Sequence, residues 1–127
     1  MSYKLMITQK HKYLHAVVTG ENNKENVERY LEELRLECIA RNCSRVLIEE
    51  RLDGPRLGTL DVYRIMEEIS RNRPRCLEAI AYVDVNAKGD LMKFAETVAV
   101  NRAMPAKIFS SVQAAEQWLL GGDRREQ

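Results

Sequence analysis

No stretch of this chain approaches the roughly 20 consecutive apolar residues of a membrane-spanning helix. The opening, Met1-Ser2-Tyr3-Lys4-Leu5-Met6, lacks the apolar run of a secretory signal. A soluble cytoplasmic protein with no integral membrane association is the expectation. An excess of charge of either sign is also missing: Lys plus Arg number 20 and Asp plus Glu 19, a formal +1. No global field therefore draws the chain onto nucleic acid or anionic lipid, and any such binding would have to be local. Cysteine is scarce. Cys38, Cys43 and Cys76 are odd in number, show no CxxC spacing and have no pair of histidines placed to complete a zinc set. They read as reduced thiols of the core or of helix ends, with Arg75 beside Cys76 the one hint of a positive neighbourhood. Walker and GxGxxG spacings are absent, and no nucleophile, base and orienting group can be assembled from visible motifs. The sequence thus points to no catalytic residue, no metal and no cofactor, and to a protein that is not an enzyme.

What is present is a repeat of order. An apolar run ending in a turn and leading into an amphipathic helix occurs four times along the 127 residues, a length that suits one domain with one ordinary core. The chain opens as a hairpin, Tyr3 to Gln9, a turn at Lys10-His11-Lys12, then Tyr13 to Thr19, where Leu14, Ala16 and Val18 alternate with Tyr13, His15 and Val17. His15 falls on the second face, with no carboxylate or cysteine partner evident at fixed spacing. Either Asn22 or Asn23 can cap a helix running to about Ala40, whose stripe is Val27, Leu31, Leu34 and Cys38, joined by Tyr30; Asn42 suits a left-handed terminator. The strand Arg45 to Glu49 follows.

Glu50 to Gly58 is the longest irregular stretch. Thr59 is a good N-cap for a helix with Val62, Ile65, Met66 and Ile69 on its apolar stripe, ending near Asn72-Arg73-Pro74. Leu77 to Val85 reads as a strand covered on both sides. A polar turn, Asn86 to Asp90, precedes a helix with Leu91, Phe94, Ala95, Val98 and Ala99, ending near Ala103. The short strand Ala106 to Phe109 leads to a helix capped by Ser110 with Gln113 and carrying Ala114, Ala115, Trp118 and Leu119. One domain over residues 1–122 is expected, with a charged tail at 123–127.

The connections are long enough to be crossovers, so the expectation is α/β, a mixed five-stranded sheet of four parallel strands plus an antiparallel N-terminal strand, with about four helices. If the chain advances in one direction, the crossovers share one face of the sheet. The other face is then covered by the hairpin, by a displaced helix or by a partner.

The hairpin with Val17-Val18-Thr19-Gly20, the strand Arg45-Val46-Leu47-Ile48, the stretch Phe94-Ala95-Glu96 with Asn101-Arg102, and Ile108-Phe109 ahead of Ala114-Ala115-Glu116-Gln117-Trp118-Leu119 carry a resemblance over nearly all of the chain. In these it resembles the SpoIIAA-like group of the STAS superfamily, β-α superhelical domains related to anti-sigma-factor antagonists. The resemblance implies a non-catalytic regulatory or protein-interaction domain. In the antagonist branch the loop after the third strand holds an Asp-Ser-Ser/Thr-Gly motif with a phosphorylated serine. Here Glu49 to Thr59 is longer and has no serine, so Thr59 is the one hydroxyl available as a phosphoacceptor, and a plain N-cap is the simpler reading of it.

Open parallel sheets bind ligands beyond the carboxyl ends of their strands. That rim collects Arg51, Asp53, Gly54, Arg56, Gly58, Lys88 and Gly89, which suit a small-molecule, lipid or anion ligand, although turn chemistry alone accounts for the glycines. Glu49, Glu50, Asp53, Asp84 and Asp90 would converge there too, with the interleaved arginines expected to pair with them rather than leave them to a cation. Finally, Leu47, Ile80 and Tyr82 are expected on one apolar surface used by a protein partner, a second copy of the chain included.

Overall fold

A computed structural model describes residues 2–55, 57–84 and 106–121, with Thr59 described by its backbone. The elements are β1 (Tyr3–Gln9), β2 (Leu14–Glu21), α1 (Lys24–Arg41), β3 (Arg45–Asp53), α2 (Thr59–Arg71), β4 (Ala79–Asp84), β5 (Ala106–Phe109) and α3 (Val112–Leu120). The five strands form one sheet in the order β1-β2-β3-β4-β5. β1 pairs antiparallel with β2 and every other pair is parallel, as the strand and crossover pattern requires. Three helices lie among the described residues; the one expected from Leu91 to Ala103, Phe94 included, falls outside them, as does the tail at 123–127.

Two apolar layers sandwich the sheet. On one side Leu14, Ala16, Val18, Val46, Ile48, Leu52 and Ile80 pack under α1 and α2 through Val27, Tyr30, Leu34, Cys38 and Ile65. On the other side Leu47, Ala79, Ala81 and Val83 pack under α3 through Ala115 and Leu119, with Tyr13 and, at the edge, Phe109, Val112 and Trp118. The alanines explain the second layer. Ala79 and Ala81 leave no bulk on β4, so a nine-residue helix carrying its own Ala115 can sit close to the strand. A displaced helix, α3, therefore covers the face opposite α1 and α2.

This register corrects the expected interface. Leu47 stands opposite Ala81, whereas Ile80 stands opposite Val46 and Tyr82 opposite Ile48. Leu47 is thus buried beneath α3, while Ile80 and Tyr82 face α1 and α2, and the three do not share a surface. Counting alternate positions within each strand was sound; it could not fix which residue of β3 lies beside which residue of β4.

The helix ends follow local chemistry. Asn23 caps α1 by accepting from the Asn26 N–H at 2.8 Å, which leaves the Asn22 side chain to donate to the Pro55 carbonyl at 2.7 Å and tie the start of α1 to the loop after β3. Asn42 ends the helix in the left-handed region at φ 52°. For α2 the cap is Gly58, and Thr59 is the first helical residue rather than the cap. For α3 Ser111, not Ser110, accepts from the Ala114 N–H at 3.2 Å. Each shift is by one residue, the scale on which backbone geometry rather than residue type selects the capping position.

Gly20 holds the hairpin to its edge strand. Its φ is +130°, and a Cβ there would lie 2.8 Å from both the Ser2 carbonyl oxygen and the Tyr3 Cα. Gly54 has φ +108° but open space around it. Gly20→Ala is expected to lower unfolding free energy by about 2–3 kcal/mol and Gly54→Ala by about 1 kcal/mol. Urea denaturation of the two variants beside the parent checks the ranking.

Candidate ligand site

In β3 the residues Val46, Ile48, Glu50 and Leu52 alternate toward α1 and α2, so a carboxylate occupies an apolar layer. Glu50 is 3% exposed. The parallel register sets Asp84 of β4 directly beside it, also buried, with Tyr82 one pleat earlier on the same face. Tyr30 enters from α1, and its hydroxyl donates to Glu50 Oε2 at 2.5 Å. The Tyr82 hydroxyl donates to the same oxygen, and the two phenol oxygens lie 3.3 Å apart.

Electrostatics follow from this packing. Burial raises the Glu50 carboxyl to about 7; the two phenol hydrogen bonds oppose the rise, and the charge and hydrogen bond of Asp84 reinforce it. Burial first, and then the Glu50 charge, push both phenols well above their ordinary range, so they remain neutral donors. Each tyrosine has a single O–H, and both are committed to Glu50. What the cluster offers a further molecule is acceptors.

The cluster closes one end of a cavity of about 480 Å³. Ile65, Met66 and Ile69 of α2 pack with the core of the sheet. Leu31 and Leu34 of α1, Ile65 and Ile69 of α2, and Ile80 and Ile108 of the sheet are among its apolar walls. Asn22, Glu50, Tyr82 and Asp84 line it at the carboxyl ends of the strands, and Arg35, Arg73 and Pro74 line it toward the amino ends. Arg35 is held by Glu32 through two hydrogen bonds of 2.9 and 2.8 Å. From Val27 to Cys38 the wall on α1 runs roughly 16 Å at the rise of a helix.

A second polar cluster lies on the opposite face. His15 Nε2 is 3.0 Å from Glu49 Oε1, and the other oxygen of Glu49 pairs with Arg51. The carboxylate partner that His15 was not expected to have thus comes from the neighbouring parallel strand, where Val17 stands opposite Glu49. Both oxygens of Glu49 are engaged, and His15 lies on the other side of the sheet from the cavity.

Of the rim residues expected from sequence, Arg51 pairs with Glu49 and points away from the cavity, Asp53 ends β3 exposed, Gly54 forms the turn, and Gly58 precedes α2. Arg56, Lys88, Gly89 and Asp90 lie outside the described residues. Thr59 opens α2 with Asp61 in the same first turn, where an added phosphate would meet an existing negative charge. The arginine pairing expected for the acids holds for Glu49 but not for Glu50, which is satisfied by tyrosines. Among the described residues no group of three or more His, Cys, Asp or Glu side chains is arranged to hold a metal ion. Nor is any described helix long and apolar enough to cross a membrane. From the sequence Tyr30 is a stripe member, and Glu50 belongs to the irregular stretch and to the acids of the rim. The signal that would have found them is the acid at an inward position of the Val46-Ile48-Glu50-Leu52 alternation.

No family model matches the sequence, and no curated protein matches it. Among solved structures the chain is similar to an uncharacterized protein of the DUF3478 family, with a SpoIIAA-like fold, from Shewanella loihica PV-4. Identity is 18%, the TM-score is 0.58, and the match covers 92% of this chain and 93% of that one. The fold of this chain is SpoIIAA-like.

A carboxyl raised from 4.5 in the unfolded chain to about 7 in the folded one binds its proton more tightly when folded. Its contribution to stability is complete below about 4.5 and falls away as pH rises through about 7. Glu50→Gln, which keeps an acceptor for the tyrosines, is expected to remove a pH-dependent loss on the order of 3 kcal/mol between these limits. Urea midpoints of parent and variant at pH 5, 6, 7 and 8 check it: the variant should gain on the parent as pH rises.

Proposed function

We propose that this chain is a non-catalytic binding domain that holds an elongated, mostly apolar small molecule in the cavity between α1, α2 and the sheet. The molecule's hydrogen-bond-donating end lies against Glu50 and Asp84. One observation carries the reading: an apolar chamber of about 480 Å³ ends, at the carboxyl ends of parallel strands, in a buried group that presents acceptors. That volume lies within the range of small-molecule sites, and the position is the one that open parallel sheets use. At that end a donor head group, an amine above all, gains from two adjacent carboxyls, whereas an anionic head group meets like charge.

The non-catalytic part of the reading rests on the same geometry. Glu50 is poised near neutrality, but its neighbours are two phenols that serve as its donors, and the His15–Glu49 pair faces the other way. A regulatory role, the function implied by the resemblance to anti-sigma-factor antagonists, follows if a protein partner distinguishes the filled domain from the empty one. Leu36 and Ile39, exposed and three residues apart on α1, and exposed Leu60 in the first turn of α2 are among the apolar positions open to such a partner.

Displacement of an environment-sensitive apolar fluorophore by dodecylamine, dodecanol and dodecanoate at pH 8 tests the proposal. Dodecylamine is expected to compete at least about tenfold better than dodecanoate, in keeping with a charged hydrogen bond in a buried site. Ile65→Trp, which intrudes on the chamber, should weaken competition several-fold while leaving the far-ultraviolet circular dichroism unchanged. Failure of all three ligands to bind the parent, or equal binding by the Trp variant, would show the reading to be wrong.

A further inference from the structure

The end of α1 brings two of the three cysteines together. The Asn42 N–H donates to the Ile39 carbonyl at 3.2 Å and the Cys43 N–H to the Cys38 carbonyl at 2.9 Å, with Asn42 left-handed between them. This is a Schellman motif, in which the side chain just past the left-handed residue packs against that of the residue whose carbonyl its N–H holds. Here both are cysteines, buried in the same core cluster. A direct backbone hydrogen bond also keeps two residues within the Cα separation that a disulfide spans. Cys76, from the connection after α2, adds a third sulfur 3.8 Å from the Cys38 carbonyl.

We infer that Cys38 and Cys43 are an oxidisable pair that closes to an intramolecular disulfide when the protein meets a peroxide, with Cys43 as the attacking sulfur. The assignment of roles follows from the surroundings. The Cys38 thiol hydrogen-bonds to the Cys43 sulfur and is the main reason that Cys43 is lowered to about 6; burial opposes this, while backbone hydrogen bonds with Arg45 and Leu14 and the nearby Arg41 charge support it. The same hydrogen bond, with burial, raises Cys38 and keeps it a thiol. In its protonated form Cys43 donates to the Arg45 carbonyl at 2.9 Å, so its sulfur is held in place in either state.

The chemistry balances without a further reagent. The Cys43 thiolate attacks one peroxide oxygen and the O–O bond breaks. A sulfenic acid forms, and the leaving hydroxide or alkoxide takes up a proton. Cys38 sulfur then attacks the sulfenic sulfur; the S–S bond forms, the S–O bond breaks, and the thiol proton leaves with the hydroxyl as water. Two thiols lose two electrons, and one peroxide is reduced.

Intact-mass analysis and non-reducing tryptic mapping of the full chain after brief hydrogen peroxide exposure test the pair. Expected are a loss of about 2 Da reversed by dithiothreitol, two of the three thiols protected from N-ethylmaleimide, and peptides joined through Cys38 and Cys43, which Arg41 separates for trypsin. Cys76→Ser should leave this unchanged. Cys38→Ser should stop at a sulfenic acid trapped by dimedone, and Cys43→Ser should give neither product. The inference is overturned if all three thiols of the parent remain alkylatable, or if the linkage includes Cys76. A disulfide persisting in Cys38→Ser would overturn it equally. The parent map decides the matter even where a serine variant fails to fold.

Discussion

β3 is covered on both faces, and that single constraint organises the rest of the molecule. Its residues serve two layers in strict alternation, Val46, Ile48, Glu50 and Leu52 beneath α1 and α2, Leu47 and Glu49 on the face that carries α3. An ordinary central strand would meet this with apolar residues throughout. This one places two consecutive carboxylates in the middle of the sheet, and each must find partners within its own layer because neither reaches water freely. Glu49 draws His15 and Arg51, a polar set that includes the Arg51 ion pair. Glu50 draws Tyr30 and Tyr82, a neutral set in the deeper one. The two sets give the faces opposite characters: one an ion-paired surface, the other the floor of a chamber.

Much of this was legible before any coordinates. The hairpin, the strand at Arg45, the amphipathic stripe of α2 and the short last strand follow from periods of two and of 3.6 residues, and the antiparallel first strand follows from connection lengths. What escaped was relational. That Leu47 and Ile80 lie on opposite faces depends on register between strands, which no spacing within one strand contains. The Glu49 partner of His15 comes from a strand more than thirty residues away, and the meeting of Cys38 with Cys43 depends on one left-handed residue between them. The third class of miss was a habit of reading. Glu50 falls in the irregular stretch on the sequence reading, whereas hydrogen bonds from two phenols let a strand carry it inward.

The SpoIIAA-like fold supports many roles, and a structural likeness at 18% identity speaks to architecture. Function has to be argued from the site, and here the site departs from what the fold alone would predict. From the sequence the rim suits a small molecule, a lipid or an anion, with turn chemistry the simpler account of its glycines. At the carboxyl ends of the strands the chamber ends in acceptors, with Arg51 turned to the other face. A domain of this class that selects donors rather than anions would read a different set of molecules from one built around a phosphorylated hydroxyl.

Sheet order in this protein is also chain order, so each strand hydrogen-bonds to the strand made just before it. During synthesis the sheet can therefore grow one strand at a time as the chain emerges, without leaving a gap for a later segment to enter. The last described helix breaks that rule. α3 crosses back over the sheet, and the Tyr13 hydroxyl donates to Glu116 at 2.6 Å across 103 residues. Ala115 and Leu119 of α3 join Tyr13 over Leu47, Ala81 and Val83, so this layer waits for the last described helix. Among the described residues, then, it is the last helix rather than strand pairing that completes the cover of this apolar face.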